Sequence, residues 1–214
     1  MHRRNTNTGL PIEYQIIKIM KQRLFTLFIV CLTMMAWAQN KPVEHLTFKG
    51  VSIDGTLNEF VLKMKQNGFT LVKTENGIAY LKGDFAAYKD CYVGVTTLKQ
   101  KDLVSKIGVV FPECTNWSSL SSNYFNLKEL LTQKYGEPTE CVEKFDTYSE
   151  PNSDGDKFMY LKLEQCKYIT IFETEKGTIQ LSIETDGATI GFVLLNYFDK
   201  TNTETVRAKA LDDL

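Results

Sequence analysis

The 214-residue sequence predicts an α+β fold in which antiparallel sheets pack against helices. Three observations carry that reading. Two segments place apolar residues at helical spacing, most of the remainder alternates in short runs, and tight glycine turns link those runs. Links that short exclude parallel crossovers and favour antiparallel pairing.

Residues 44–53 (EHLTFKGVSI) read as one strand ending at Asp54-Gly55. Thr56 and Glu59 form a capping box, and Leu57, Phe60, Val61 and Met64 make an apolar stripe. Gly68 sits where a left-handed helix cap belongs, so a short helix is expected between them. Phe69 to Thr74 and Ile78 to Lys82 flank Asn76-Gly77, the strongest short hairpin signal. Cys91 to Thr97 and Leu103 to Phe111 continue the meander until Pro112 stops it. A second helix is expected over Trp117 to Tyr135, with Leu120, Tyr124, Leu127 and Leu131 as its stripe, then Gly136 and Pro138. Its first turn is weak, because Ser118, Ser119, Ser121 and Ser122 compete with the backbone for hydrogen bonds.

Strands dominate again beyond that helix. Cys141 to Thr147 reads as a strand, followed by a polar loop from Ser149 to Asp156. Met159, Leu161 and Leu163, then Ile169 and Ile171, are expected to point inward from successive strands. Lys176-Gly177 and Asp186-Gly187 turn the chain into Ile179 to Ile183 and Ile190 to Leu195. Phe192 to Leu195 is apolar on both faces, as a central strand would be. A last helix is expected near Thr203 and Glu204. The order suggests two tandem helix-plus-meander units, residues 44–114 and 115–200.

The first forty residues carry an address. Basic Lys21 and Arg23 precede the apolar run Leu24 to Met35, and Ala36-Trp37-Ala38 follows. That is the order of a secretory signal peptide over 20–38, with cleavage expected after Ala38. The apolar run is shorter than the roughly 20 residues that a spanning helix needs. Bulky Phe28-Ile29-Val30 before Cys31 argues against lipid attachment there. Residues 1–19 fit no part of such a leader, and translation is expected to begin at Met20. The mature chain, 39–214, would then be periplasmic or extracellular.

What remains is poor in catalytic residues. Past residue 38, His45 is the sole histidine and Arg207 the sole arginine. One arginine argues against nucleic-acid reading or a phosphate clamp, and the glycines form no phosphate-binding loop. Cys91, Cys114, Cys141 and Cys166 form no C-x-x-C pair, and in an exported chain they permit two disulfides in three connectivities. The loop from Glu150 to Gly155 resembles half an EF-hand, but Leu161 stands where the bidentate glutamate should be. Glu173 and Glu175 share one side of a strand, as a carboxylate pair in a hydrolase would. Phe158, Tyr160, Tyr168 and Phe172 would form an aromatic binding platform if exposed on adjacent strands, and core if a helix covers them.

The stretch Phe48 to Gly55 with Phe60, Gly68 and Phe69, then Leu81 to Phe85, resembles the opening of uncharacterised small exported proteins of gut anaerobes. The likeness implies export and an α+β fold. In shape alone, helix-then-meander duplication is similar to β-lactamase inhibitor protein, with no motif carried over. The expected function is an exported binding or protein-interaction module with an unknown protein or glycan partner. No cofactor, metal, nucleic acid or catalysis is expected. The alternatives are a small envelope hydrolase using paired carboxylates and an apolar-ligand carrier.

Overall fold

The computed structural model describes residues 44–98 and 101–212. The leader at 20–38 and the extension at 1–19 lie outside the described residues. The described chain opens on a hairpin, β1 (Thr47–Phe48) and β2 (Val51–Ser52), where one strand was expected. The cause is local. Lys49 and Gly50 take φ of 51° and 76°, the left-handed pair that a type I′ turn requires.

Helix α1 (Leu57–Gln66) forms as its pattern predicts. Both halves of the Thr56–Glu59 capping box are made, and Asp102 accepts a further bond from the Leu57 amide at 3.0 Å. A meander follows: β3 (Thr70–Glu75), β4 (Ile78–Phe85), β5 (Tyr88–Thr97) and β6 (Val104–Val110). The β4–β5 turn carries no glycine. Ala86 and Ala87 occupy φ of 49° and 67°, at a steric cost of about 1–2 kcal/mol per residue. Flanking rings hold it in place, Phe85 on Phe48 at 4.8 Å and Tyr88 on Phe111 at 5.1 Å.

Helix α2 (Trp117–Tyr135) buries Trp117, Leu120, Tyr124, Leu127 and Leu131. Its serine-rich first turn is held from outside. Asn116 accepts from the Ser119 amide, and Asp154 accepts from the amides of Trp117 and Ser118 and from the Ser118 hydroxyl. Those bonds, the Ser118 hydroxyl foremost, hold the Asp154 carboxyl below its usual range.

The second meander runs β7 (Glu140–Phe145), β8 (Cys166–Thr174), β9 (Gly177–Thr185) and β10 (Gly191–Asp199). Between β7 and β8 lies α3 (Asp154–Lys162), which corrects the strand expected around Met159 to Leu163. A short apolar run satisfies both periods, and the helix wins through local chemistry. Ser153 caps the Asp156 amide, Asp154 and Asp156 occupy the first turn, and Phe158 and Leu161 pack inward one turn apart. Met159 and Leu163, expected inside, are 44% and 57% exposed. Helix α4 (Lys200–Asp212) starts directly after β10, earlier than expected.

The large sheet has the order β3-β4-β5-β6-β10-β9-β8-β7, antiparallel throughout. Each half of the chain therefore contributes a four-strand meander, and the two join at β6 and β10. The doubly apolar Phe192 to Leu195 run is central, as predicted. The register stacks side chains into rows across the strands. One row is Ala79, Val95, Ile107, Tyr197, Ile179 and Phe172; the next is Leu81, Val93, Val109, Leu195, Leu181 and Thr170. All twelve are buried. Onto these rows pack the helices and the first hairpin: Tyr124 hydrogen-bonds Thr170 at 2.5 Å, and Phe48 meets Tyr197 edge-on at 5.7 Å. At these burials each large apolar side chain contributes about 1.5–3 kcal/mol.

Candidate binding face

The alternate residues of the same strands form a second face with a different character. One row reads Tyr80, Gly94, Gly108, Asn196, Gln180 and Ile171. A neighbouring row reads Lys82, Tyr92, Val110, Leu194, Ser182 and Ile169; the other reads Ile78, Thr96, Lys106, Phe198, Thr178 and Glu173. Most are half-buried, and Tyr92 is 50% exposed. Among the described residues, the buried side chains of α1, α2 and α3 belong to the opposite, row-packed core. Beyond Asn202, α4 is almost wholly exposed.

The second face mixes rings, amides and lysines. Lys73 lies over the Tyr80 ring at 5.1 Å, Lys82 over Tyr92 at 5.6 Å, and Lys106 over Phe198 at 4.9 Å. Two of these lysines are neutralised locally, Lys73 by Glu75 at 2.7 Å and Lys82 by Asp90 at 2.9 Å. Gly94 and Gly108 stand opposite each other on β5 and β6, so the middle of the face has no side chain. Asn196 leans into that gap, its Oδ1 lying 3.1 Å from where a Cβ on Gly108 would be.

The predicted aromatic platform is not assembled. Phe158 and Tyr160 sit on α3 rather than on a strand, Phe158 facing inward from that helix, and Tyr168 and Phe172 are buried on the core face of β8. Tyr168 meets Trp117 at 5.1 Å and Tyr124 at 5.7 Å, and burial pushes its hydroxyl up to about 12. The core alternative therefore describes these residues. The expectation that Ile169 and Ile171 point inward is reversed, since Tyr168, Thr170 and Phe172 take the core face. Alternation along β8 is apolar on both sides, so period alone could not choose.

The four cysteines among the described residues are free thiols in the structure. Cys141 pairs with Thr170 and Cys166 with Phe145, four residues apart along β7 and β8. That offset is about 13 Å, beyond a disulfide's reach, which excludes the Cys141–Cys166 connectivity. Burial raises the Cys91 and Cys114 thiols and pushes Cys166 up to about 12, away from the thiolate form that a nucleophilic cysteine uses. Cys141 is exposed, 3.1 Å from Lys128 Nζ.

His45 does meet carboxylates, in a structural clamp. Its Nδ1 lies 3.1 Å from Asp199 Oδ1 and its Nε2 lies 3.6 Å from Asp54 Oδ2. Buried Asp199 also accepts from the amides of Leu46 and Asn202, capping α4. Asn202 in turn donates to Ile53 O, Val104 O and Asp54 Oδ1. Beside His45 opens a cleft of about 340 Å³ that includes Lys134, Tyr135, Glu175 and Lys176. Glu175 thus belongs to that cleft, while Glu173 accepts from the Thr178 hydroxyl at 2.9 Å on the second face. The two glutamates do not share one site. The calcium-like loop is consumed by helix caps, Asp154 on α2 and Ser153 on α3. Among the described residues no group of three His, Cys, Asp or Glu could hold a metal ion, and no helix is long and apolar enough to cross a membrane. A larger cleft of about 590 Å³ is lined by Lys49, Asn67, Lys82, Asp84 and Asp90, polar groups unsuited to an apolar ligand.

Sequence reasoning missed Gly94, Gly108, Asn196 and Gln180. The available signal was a glycine in the interior of each of two β-branched runs, at positions where a strand loses both packing and entropy. No family model, curated protein or solved structure matches this chain.

Proposed function

We propose that this protein is an exported binding module that receives its partner on the second face of the eight-stranded sheet. One observation carries the reading: α1, α2 and α3 pack on one face, while the other keeps half-exposed rings and lysines, with the recessed amide of Asn196 among them. Antiparallel sheets can leave one face to water, but that face is then usually polar. Here Tyr80, Tyr92, Val110, Leu194, Phe198, Ile169 and Ile171 occupy it. A surface of that composition is suited to contact.

Export is part of the proposal and has its own test. N-terminal sequencing of protein from the envelope or medium should return a chain beginning at Gln39; an intact Met20 would refute cleavage. For the face, Tyr92→Asp should abolish retention of a partner from envelope extract, whereas Leu62→Asp, on the solvent side of α1, should leave it unchanged. Equal retention by both variants, or none by the unaltered chain, removes the proposal.

A further inference from the structure

The middle of the second face has the construction of a ligand trough. Its floor is the row Tyr80, Gly94, Gly108, Asn196 and Gln180, contributed by β4, β5, β6, β10 and β9. Glycine is a poor choice for central strands unless something must approach the backbone closely, and over Gly108 that group is Asn196, whose Oδ1 lies 3.1 Å from a Cβ position there. The space above Gly94 is open: a Cβ there would meet only Gly108 O at 3.9 Å and Ile78 Cγ2 at 4.0 Å. Tyr92 and Val110 border one side, and Thr96, Lys106 and Phe198 border the other. Those borders stand four residues apart along the strands, or about 13 Å.

An independent observation points to an occupant. Asn196 is only 5% exposed, yet its side-chain amide has no hydrogen-bond partner among the described residues. Its neighbour Gln180 is likewise without one. Neither amide is sealed from solvent, because no fully buried polar atom lacks a partner. They therefore face the trough ready to donate and accept.

We propose that a neutral oligosaccharide lies along the Gly94–Gly108 trough, its hydroxyl groups bonded by Asn196 and Gln180 and its rings packed by Tyr80 and Tyr92. The proposal deepens the sheet-face reading and rests on it. Three features select this class. Amides both donate and accept, matching hydroxyls. Tyrosine rings offer flat apolar area to the C–H face of a sugar. The lysines beside those two rings are already paired with Glu75 and Asp90, and Lys106 on the border lies over the Phe198 ring.

The test titrates the exported protein with cellotriose, chitotriose, mannotriose and galactotriose. Side-chain amide signals of Asn196 and Gln180 are followed by NMR. At least one sugar should shift both, with a Kd of about 1 mM or tighter. Gly94→Val should weaken that binding by about tenfold or more while the fold is retained, since a β-branched residue suits a strand and its Cβ would meet nothing closer than 3.9 Å. Asn196→Leu should also lose binding, yet unfold no earlier than the unaltered protein, which a merely structural asparagine would not do. No shift with any sugar to about 10 mM overturns the proposal, as does binding that Gly94→Val leaves intact. If sugars fail while partner retention still depends on Tyr92, the face stands and its partner is a protein. If retention is also indifferent to Tyr92, both readings fall.

Discussion

Leu194 and Leu195 are neighbours on β10 and face opposite ways. Leu195 is buried in a row with Val109 and Leu181, under the helices; Leu194 is half-buried between Val110 and Ser182. The same strand thus serves two surfaces of different kinds. On the helix-bearing face, buried polar groups are paired, as Tyr124 is with Thr170. On the second face the Asn196 amide is recessed and has no partner among the described residues, though solvent still reaches it.

The contrast should be measurable by denaturant unfolding. Leu195→Ala should cost about 3–4 kcal/mol, because the rows beneath α2 cannot collapse around the void. Asp199→Ala should cost about 2 kcal/mol, since it strands the Leu46 and Asn202 amides and loosens His45. Leu194→Ala should cost only about 1 kcal/mol, because part of its surface already meets water. Comparable losses at positions 194 and 195 would mean that something covers the second face, and the distinction between the faces would fail.

The smallest effect lies at the β9–β10 turn. Asp186 accepts from the amides of Ala188, Thr189 and Ile190, which hold its carboxyl down at about 2, the Ile190 amide most strongly. A carboxylate depressed on folding stabilises above its ordinary range, and that contribution fades as pH falls through the folded value. Asp186→Ala should therefore weaken the hairpin at about pH 6 and differ little from the unaltered protein near about pH 2. A constant difference across that window would show that the carboxylate charge is immaterial there.

Legibility followed the range of the interactions. Helix α1 was readable because Thr56, Glu59 and Gly68 act within a turn of the helix they bound. The Asn76-Gly77 hairpin was readable for the same reason. The Ala86-Ala87 turn was not, because alanine has no preference for φ above zero; the rings of Phe48 and Phe111 impose it. Nor was α3, whose Phe158 to Leu163 run fits either period until Ser153 and Asp154 are recognised as caps. The serine-rich start of α2 looked weak because its support, Asp154, lies 36 residues downstream of Ser118.

By itself the sequence determined the α+β class, the antiparallel habit, the central place of β10, and the scarcity of histidine and arginine, because periodicity, glycine turns and composition act locally or in bulk. Tertiary structure alone decided which side of β8 is core, that Cys141 and Cys166 are out of reach, and that Gly94, Gly108, Asn196 and Gln180 share one row. Register sets those relations, and register comes from packing one whole face of the sheet against helices.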